Sequence, residues 1–208
     1  QSVYGMKGGA GGGRIRLQAT GAITLNGSIT ALGLSGSGAS NIYGSGGGSG
    51  GTVQVIADSM SGTGSINVRG GNGGLRFGGG GGGGRIELDT QAGADQLTLL
   101  TRGGCNASSN GCSTTYAGAG TVFYQSPKTL LVHGENVNSR GTPWVAGDIA
   151  NIIIDADGRL THTGAIVATE TVHVKSTGFL NNVAGGDLSI TTTELTVDGE
   201  LTLSPTGD

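Results

Sequence analysis

Two acids, Asp155 and Asp157, alternate at one strand end and would point the same way, the best placement for chemistry in this chain. His162 follows closely, and His173 is placed to stack one repeat later. Two carboxylates roughly 5–10 Å apart, one with a raised pKa, are what glycoside hydrolysis needs. Clustered oxygens of the same kind also suit a hard cation such as Ca²⁺. Asp155-Ala156-Asp157-Gly158 is equally a turn phrase in which Asp caps backbone amides. The turn is the expected role, so no catalytic residue, metal or cofactor is assigned, with Asp155 and Asp157 kept as the metal candidates. The nonapeptide Ca²⁺ repeat needs Asp within its glycine phrase, and the long glycine tracts here hold no acid. A dinucleotide fingerprint needs a helix after the glycines, and here strand-like runs follow.

A second group of side chains suits recognition. Tyr4, Tyr43, Phe77 and Tyr116 each open a glycine-rich excursion, namely Tyr4–Gly13, Tyr43–Gly51, Phe77–Gly84 and Tyr116–Gly120. In register, these rings could form a ladder covering the core edge, or an exposed row that binds a glycan or receptor. Arg14 and Arg85 share one repeat position, and Arg69 and Arg102 another. Each stacked pair could bind an anionic glycan; more often such residues snorkel over the coil surface or pair with acids, here Glu87 and Asp89. Cys105 and Cys112 share one polar loop. A disulfide between them is expected and implies an oxidising compartment.

The elements that must position these groups are repeats. Gly13-Arg14-Ile15-Arg16-Leu17 returns as Gly51–Val55, Gly84–Leu88 and Gly120–Tyr124, with Ile15, Val53, Ile86 and Val122 spaced 38, 33 and 36 residues apart. Gly27-Ser28-Ile29-Thr30 returns as Gly64-Ser65-Ile66-Asn67, then more loosely at Leu97-Thr98-Leu99. After about residue 126 the rhythm shortens, and Gly158, Gly178 and Gly199 fall 20 and 21 residues apart. Short period-2 runs broken by Gly, Ser and Asn are strands. The expected fold is all-β: a right-handed parallel β-helix (solenoid) with glycine-rich insertions stacked on one side. It divides into a wide-coil part, 1–125, with coils of about 33–38 residues, and a part, 126–208, with coils of about 20. The glycine tracts pack side by side as polyproline-II-like legs or remain mobile loops. Trp144, in the irregular stretch between the two rhythms, is expected to plug the junction core.

Composition narrows the partners. The chain holds 46 glycines with only 12% charged residues and a net charge of -3. Eleven scattered basic residues provide no phosphate-binding patch, so nucleic acid is not an expected partner. No apolar run reaches the roughly 20 residues of a membrane-spanning helix. The sequence begins at Gln1 without Met, a signal peptide or an end cap, and reads as a processed or excised piece of a longer chain.

Gly11-Gly12-Gly13-Arg14-Ile15-Arg16-Leu17, Gly64-Ser65-Ile66-Asn67-Val68-Arg69-Gly70-Gly71 and Gly118-Ala119-Gly120-Thr121-Val122-Phe123-Tyr124 resemble glycine-rich β-solenoid repeats of large secreted bacterial surface proteins. Leu195-Thr196-Val197-Asp198-Gly199-Glu200-Leu201-Thr202-Leu203 looks like the short coils of filamentous-haemagglutinin-type adhesins. The long tracts also resemble the glycine-rich tips of phage tail adhesins. The resemblance implies an extracellular or cell-surface, structural or adhesive segment. Its partners would be the rest of the parent chain, neighbouring subunits in a fibre, or a surface glycan or receptor. A glycan-binding module built on the tract aromatics is the alternative, and a polysaccharide-cleaving β-helix a further one.

Overall fold

Short apolar-polar alternations punctuated by glycine cannot bury their apolar side alone, so each must lie against a copy of itself. The computed structural model, which describes residues 7–38, 44–90, 96–108, 111–135, 140–143, 147–162, 164–182 and 186–203, shows that outcome. The chain is all-β, with no α-helix among the described residues and mostly parallel strand pairing.

Eight strands form the principal sheet. In order they are Arg14–Gln18, Thr52–Ile56, Arg85–Asp89, Thr121–Tyr124, Thr129–His133, Asn151–Asp155, Thr171–Val174 and Glu194–Val197. The repeat anchors stand opposite one another, Ile15 with Val53, Val53 with Ile86 and Ile86 with Val122. Ile29, Ile66 and Leu99 form a matching row in a three-stranded sheet. Leu160, Leu180 and Leu201 do so in a four-stranded one.

One strand pair in this sheet breaks the parallel rule. Thr121–Tyr124 and Thr129–His133 form an antiparallel hairpin, so the last four strands run opposite to the first four. The sequence reading contains no such reversal. It has a consequence for the core. Val53, Val55, Ile86, Leu88 and Val122 belong to one apolar cluster, with Tyr124 and Leu131 packed on it. Leu130, Val132, Ile152, Ile154, Val172 and Val174 belong to a second, joined by Phe123. Since Phe123 pairs with Leu130 and Val122 with Leu131, the two clusters lie on opposite faces of one sheet. Crossovers between parallel strands keep one hand. Strand order advances steadily while strand sense reverses, so a constant hand puts the later connections on the other face.

Candidate binding surface

The glycine-rich excursions are two-legged. Outgoing legs leave the Ser28–Thr30, Ser65–Asn67 and Thr98–Leu100 strands, and returning legs lead into the principal sheet. Sequence reading recognised only the returning legs as tracts, although Gly33 and Gly36, then Gly70 and Gly73, already show a three-residue period in the outgoing ones.

Hydrogen bonds among legs recur every third residue. Between returning legs, the Gly47 and Gly50 amides donate to the Gly79 and Gly82 carbonyls at 2.9 and 2.8 Å. Between outgoing legs, Gly33 and Gly36 donate to Arg69 and Asn72 at 3.0 and 2.8 Å. From layer to layer, Gly71 and Gly74 donate to Gly48 and Ser45, both at 2.8 Å, with the legs antiparallel. Three residues per turn is the period of polyproline II, whose backbone has no internal hydrogen bonds and so can donate sideways. The tracts are therefore a two-layer array of packed legs. Glycine is required by contact distance: a Cβ on Gly50 would stand 1.8 Å from the Val68 carbonyl oxygen.

The array is fastened in two places. Cys105 and Cys112 form a disulfide with Cα atoms 5.5 Å apart, joining the two strands of the Cys105–Ser108 and Gly111–Tyr116 hairpin. Glu135, just beyond the principal-sheet strand Thr129–His133, fastens the other place. Its Oε2 takes the Arg69 guanidinium, with Nε at 2.8 Å, and its Oε1 accepts the Arg102 backbone N–H at 2.8 Å. The Arg102 guanidinium lies over the Tyr116 ring, 4.7 Å from its centroid. Arg69 and Arg102 do occupy one position in successive repeats. Glu135 is the counter-group of the Arg69 guanidinium and Tyr116 the stacking partner of Arg102, pairings that the sequence alone does not suggest. Arg14 donates to Gln54 Oε1 at 3.2 Å, and Gln54 to Glu87 Oε2 at 3.0 Å.

Of the four tract aromatics, Tyr4 and Tyr43 lie outside the described residues, as does Trp144. Phe77 is 80% exposed and sits in the left-handed region, φ 73°, beside Arg76 at φ 58°. It marks the turn between two legs, where the chain reverses farthest from the sheet, and this is why it does not cover the core edge. Tyr116 is partly buried under Arg102. The array thus displays Phe77 and engages Tyr116.

The acids found in the sequence stand elsewhere. Asp155 ends a strand and Ala156 and Asp157 follow at φ 47° and 62°, with the Gly158 amide donating to the Asp155 carbonyl at 2.7 Å, a turn as expected. Asp157 N–H donates to Thr177 Oγ1 at 3.2 Å. His162 lies on the four-stranded sheet, apart from the sheet that carries Asp155. His173 pairs in register with Ile153 and binds Asp198 at 2.8 Å. The partner of Asp155 is His133, with Nδ1 and Oδ1 2.7 Å apart, and Lys175 Nζ lies 3.6 Å from its other oxygen. Among the described residues no three His, Cys, Asp or Glu side chains converge to hold a metal.

The Asp155 hydrogen bond raises the His133 imidazole above its ordinary value; burial opposes this, and the Asp155 and Glu135 charges support it. Burial pushes the Asp155 carboxyl up, but the hydrogen bond and charge of His133, with Lys175, hold it below its usual range. A raised histidine contributes stability in full below its unfolded value near 6.5, lost as pH climbs through the folded one. A lowered carboxyl contributes above its unfolded 3.8, lost as pH falls. The pair should therefore stabilise most between those two values. Urea unfolding of the wild type and His133→Ala should show their stability gap widest between those two values and narrowing as pH rises past the imidazole's ordinary 6.5. A gap independent of pH would remove the ionic account.

No protein-family profile, curated protein or solved structure matches the chain.

Proposed function

We propose that this chain is a non-catalytic, extracellular segment of a larger surface protein or fibre, folded as a right-handed parallel β-solenoid in two stacks with a structural or adhesive role. The observation that carries this reading is the glycine array. Backbone legs bonded at every third residue form a stiff slab built outside the core, of use to a molecule that must hold its shape and project a turn such as that of Phe77. The row-by-row pairing of repeat anchors supports the solenoid. The disulfide in the third excursion supports an oxidising compartment. Its partners would be the remainder of the parent chain or adjoining subunits, with a surface glycan or receptor at the exposed side.

Amide hydrogen exchange combined with a polysaccharide-cleavage assay tests the proposal. The Gly47, Gly50, Gly71, Gly74, Gly81 and Gly84 amides, all donors inside the array, should exchange as slowly as those of Val53 and Ile86. Exchange of these glycines at free-peptide rates, or release of reducing ends that Asp155→Asn abolishes, would overturn it. Exposure of Phe77 favours one second reading, a glycan-binding module on the tract side. Sugar binding lost on Phe77→Ala would support that reading over a purely structural role.

A further inference from the structure

The reversal of core face leaves an inner corner. The outer face of the first four sheet strands points to the side on which the second core stands, so the 147–149 segment rises beside an exposed stretch of sheet. Between them lies an open groove of about 600 Å³. That is within the usual range for small-ligand sites. Its floor is Phe123, partly exposed, flanked on the sheet by Arg85 and Glu87; Gln125, Lys128 and Asp148 stand on its polar rim, with Thr52 and Thr121 also lining it.

We propose that this groove binds one or two units of an uncharged saccharide, with a pyranose ring lying on the face of Phe123. Three observations carry the assignment. The charges balance, Arg85 and Lys128 against Glu87 and Asp148, and Lys128 pairs directly with Asp148. A strongly ionic ligand therefore gains little there, whereas hydroxyl groups, which both donate and accept, fit interleaved donors and acceptors. Second, the polar groups are held before any ligand arrives: Glu87 Oε1 accepts from Gln125 Nε2 at 2.6 Å and Oε2 from Gln54 Nε2 at 3.0 Å. Fixed groups on sheet strands spare a weak ligand the cost of ordering them. Third, the Arg85 backbone N–H is taken by the Gly51 carbonyl at 2.9 Å, but its guanidinium makes no hydrogen bond or ion pair among the described residues, which leaves a planar fork of donors at the edge of an apolar ring. An aromatic face beside such a fork matches the two sides of a pyranose, one of C–H groups and one rimmed by hydroxyls.

This site is on the sheet, away from Phe77, and does not depend on the structural role of the glycine array. The test is a nuclear magnetic resonance titration of the whole, oxidised chain. Its probes are neutral glucose, galactose and mannose oligomers, with hexuronate oligomers as the charged comparison. Saturable shifts at Phe123 and Arg85 are expected with at least one neutral sugar, at a Kd in the millimolar range. Phe123→Leu keeps apolar bulk against the second core and should weaken binding at least about tenfold. Arg85→Gln, at an exposed position, should weaken it several-fold, and Phe77→Ala should leave it unchanged. The proposal is overturned by silence with every neutral oligomer. It is equally overturned by binding confined to hexuronates and abolished by salt, or by binding lost in Phe77→Ala and kept in Phe123→Leu.

Discussion

Gly83→Ala is expected to destabilise the protein by more than about 3 kcal/mol, while Gly82→Ala, one residue earlier, leaves it unchanged or up to about 1 kcal/mol more stable. A Cβ on Gly83 would stand 1.7 Å from the Thr101 carbonyl oxygen and 2.4 Å from the Gly120 nitrogen, both backbone atoms of legs held by their own hydrogen bonds. Neither can retreat without breaking a row. On Gly82 the nearest atom is 3.9 Å away, and an alanine there only removes freedom from the unfolded chain. Urea midpoints for the two variants check this, and equal midpoints would mean that the legs do not pack as described. The contrast separates close approach from mere flexibility, since both sites are glycines in the same run.

The second large effect is expected at Glu135. Its side chain is 8% exposed and serves two legs at once. Glu135→Ala leaves the Arg69 guanidinium without its partner and the Arg102 amide without its acceptor. Breaking a fully buried pair from one side costs about 3–5 kcal/mol, and the 32% exposure of the Arg69 side chain puts the expected loss at or below the lower end of that range. Glu135→Gln keeps an oxygen for the Arg102 N–H and should cost clearly less. Adding Arg69→Leu to Glu135→Ala removes the orphaned charge, so the double variant should recover part of the loss. Losses that simply add would show that Arg69 and Glu135 act independently.

What the sequence made legible follows from locality. Ile15, Val53, Ile86 and Val122 were found because each sits in a repeated phrase, and the structure pairs them in that order. The Asp155–Gly158 turn was found for the same reason. The hairpin was missed, yet it left a mark. Leu130-Leu131-Val132 and Ile152-Ile153-Ile154 break the strict alternation of the earlier strands. Unbroken apolar runs mean that both faces of a strand are covered. Here Leu130 and Val132 face the second core while Leu131 packs on the first. Glu135 left no mark at all, since its ion-pair partner is 66 residues upstream and a lone acid after a glycine carries no pattern. Phe77 looked like one rung of an aromatic ladder because its position repeats. The turn it occupies leaves its ring exposed instead of laid against the core.

The glycine array has a consequence for how the molecule responds to temperature. What its assembly removes from water is chiefly peptide groups, with few apolar side chains. Exposed apolar surface raises the heat capacity of unfolding by about 0.45 cal/mol/K per Å², and exposed polar surface lowers it by about 0.26. The slab therefore contributes far less to that heat capacity than the two apolar clusters do. Its share of the stability curve is flat, and it keeps its cohesion on cooling, where oily cores lose theirs.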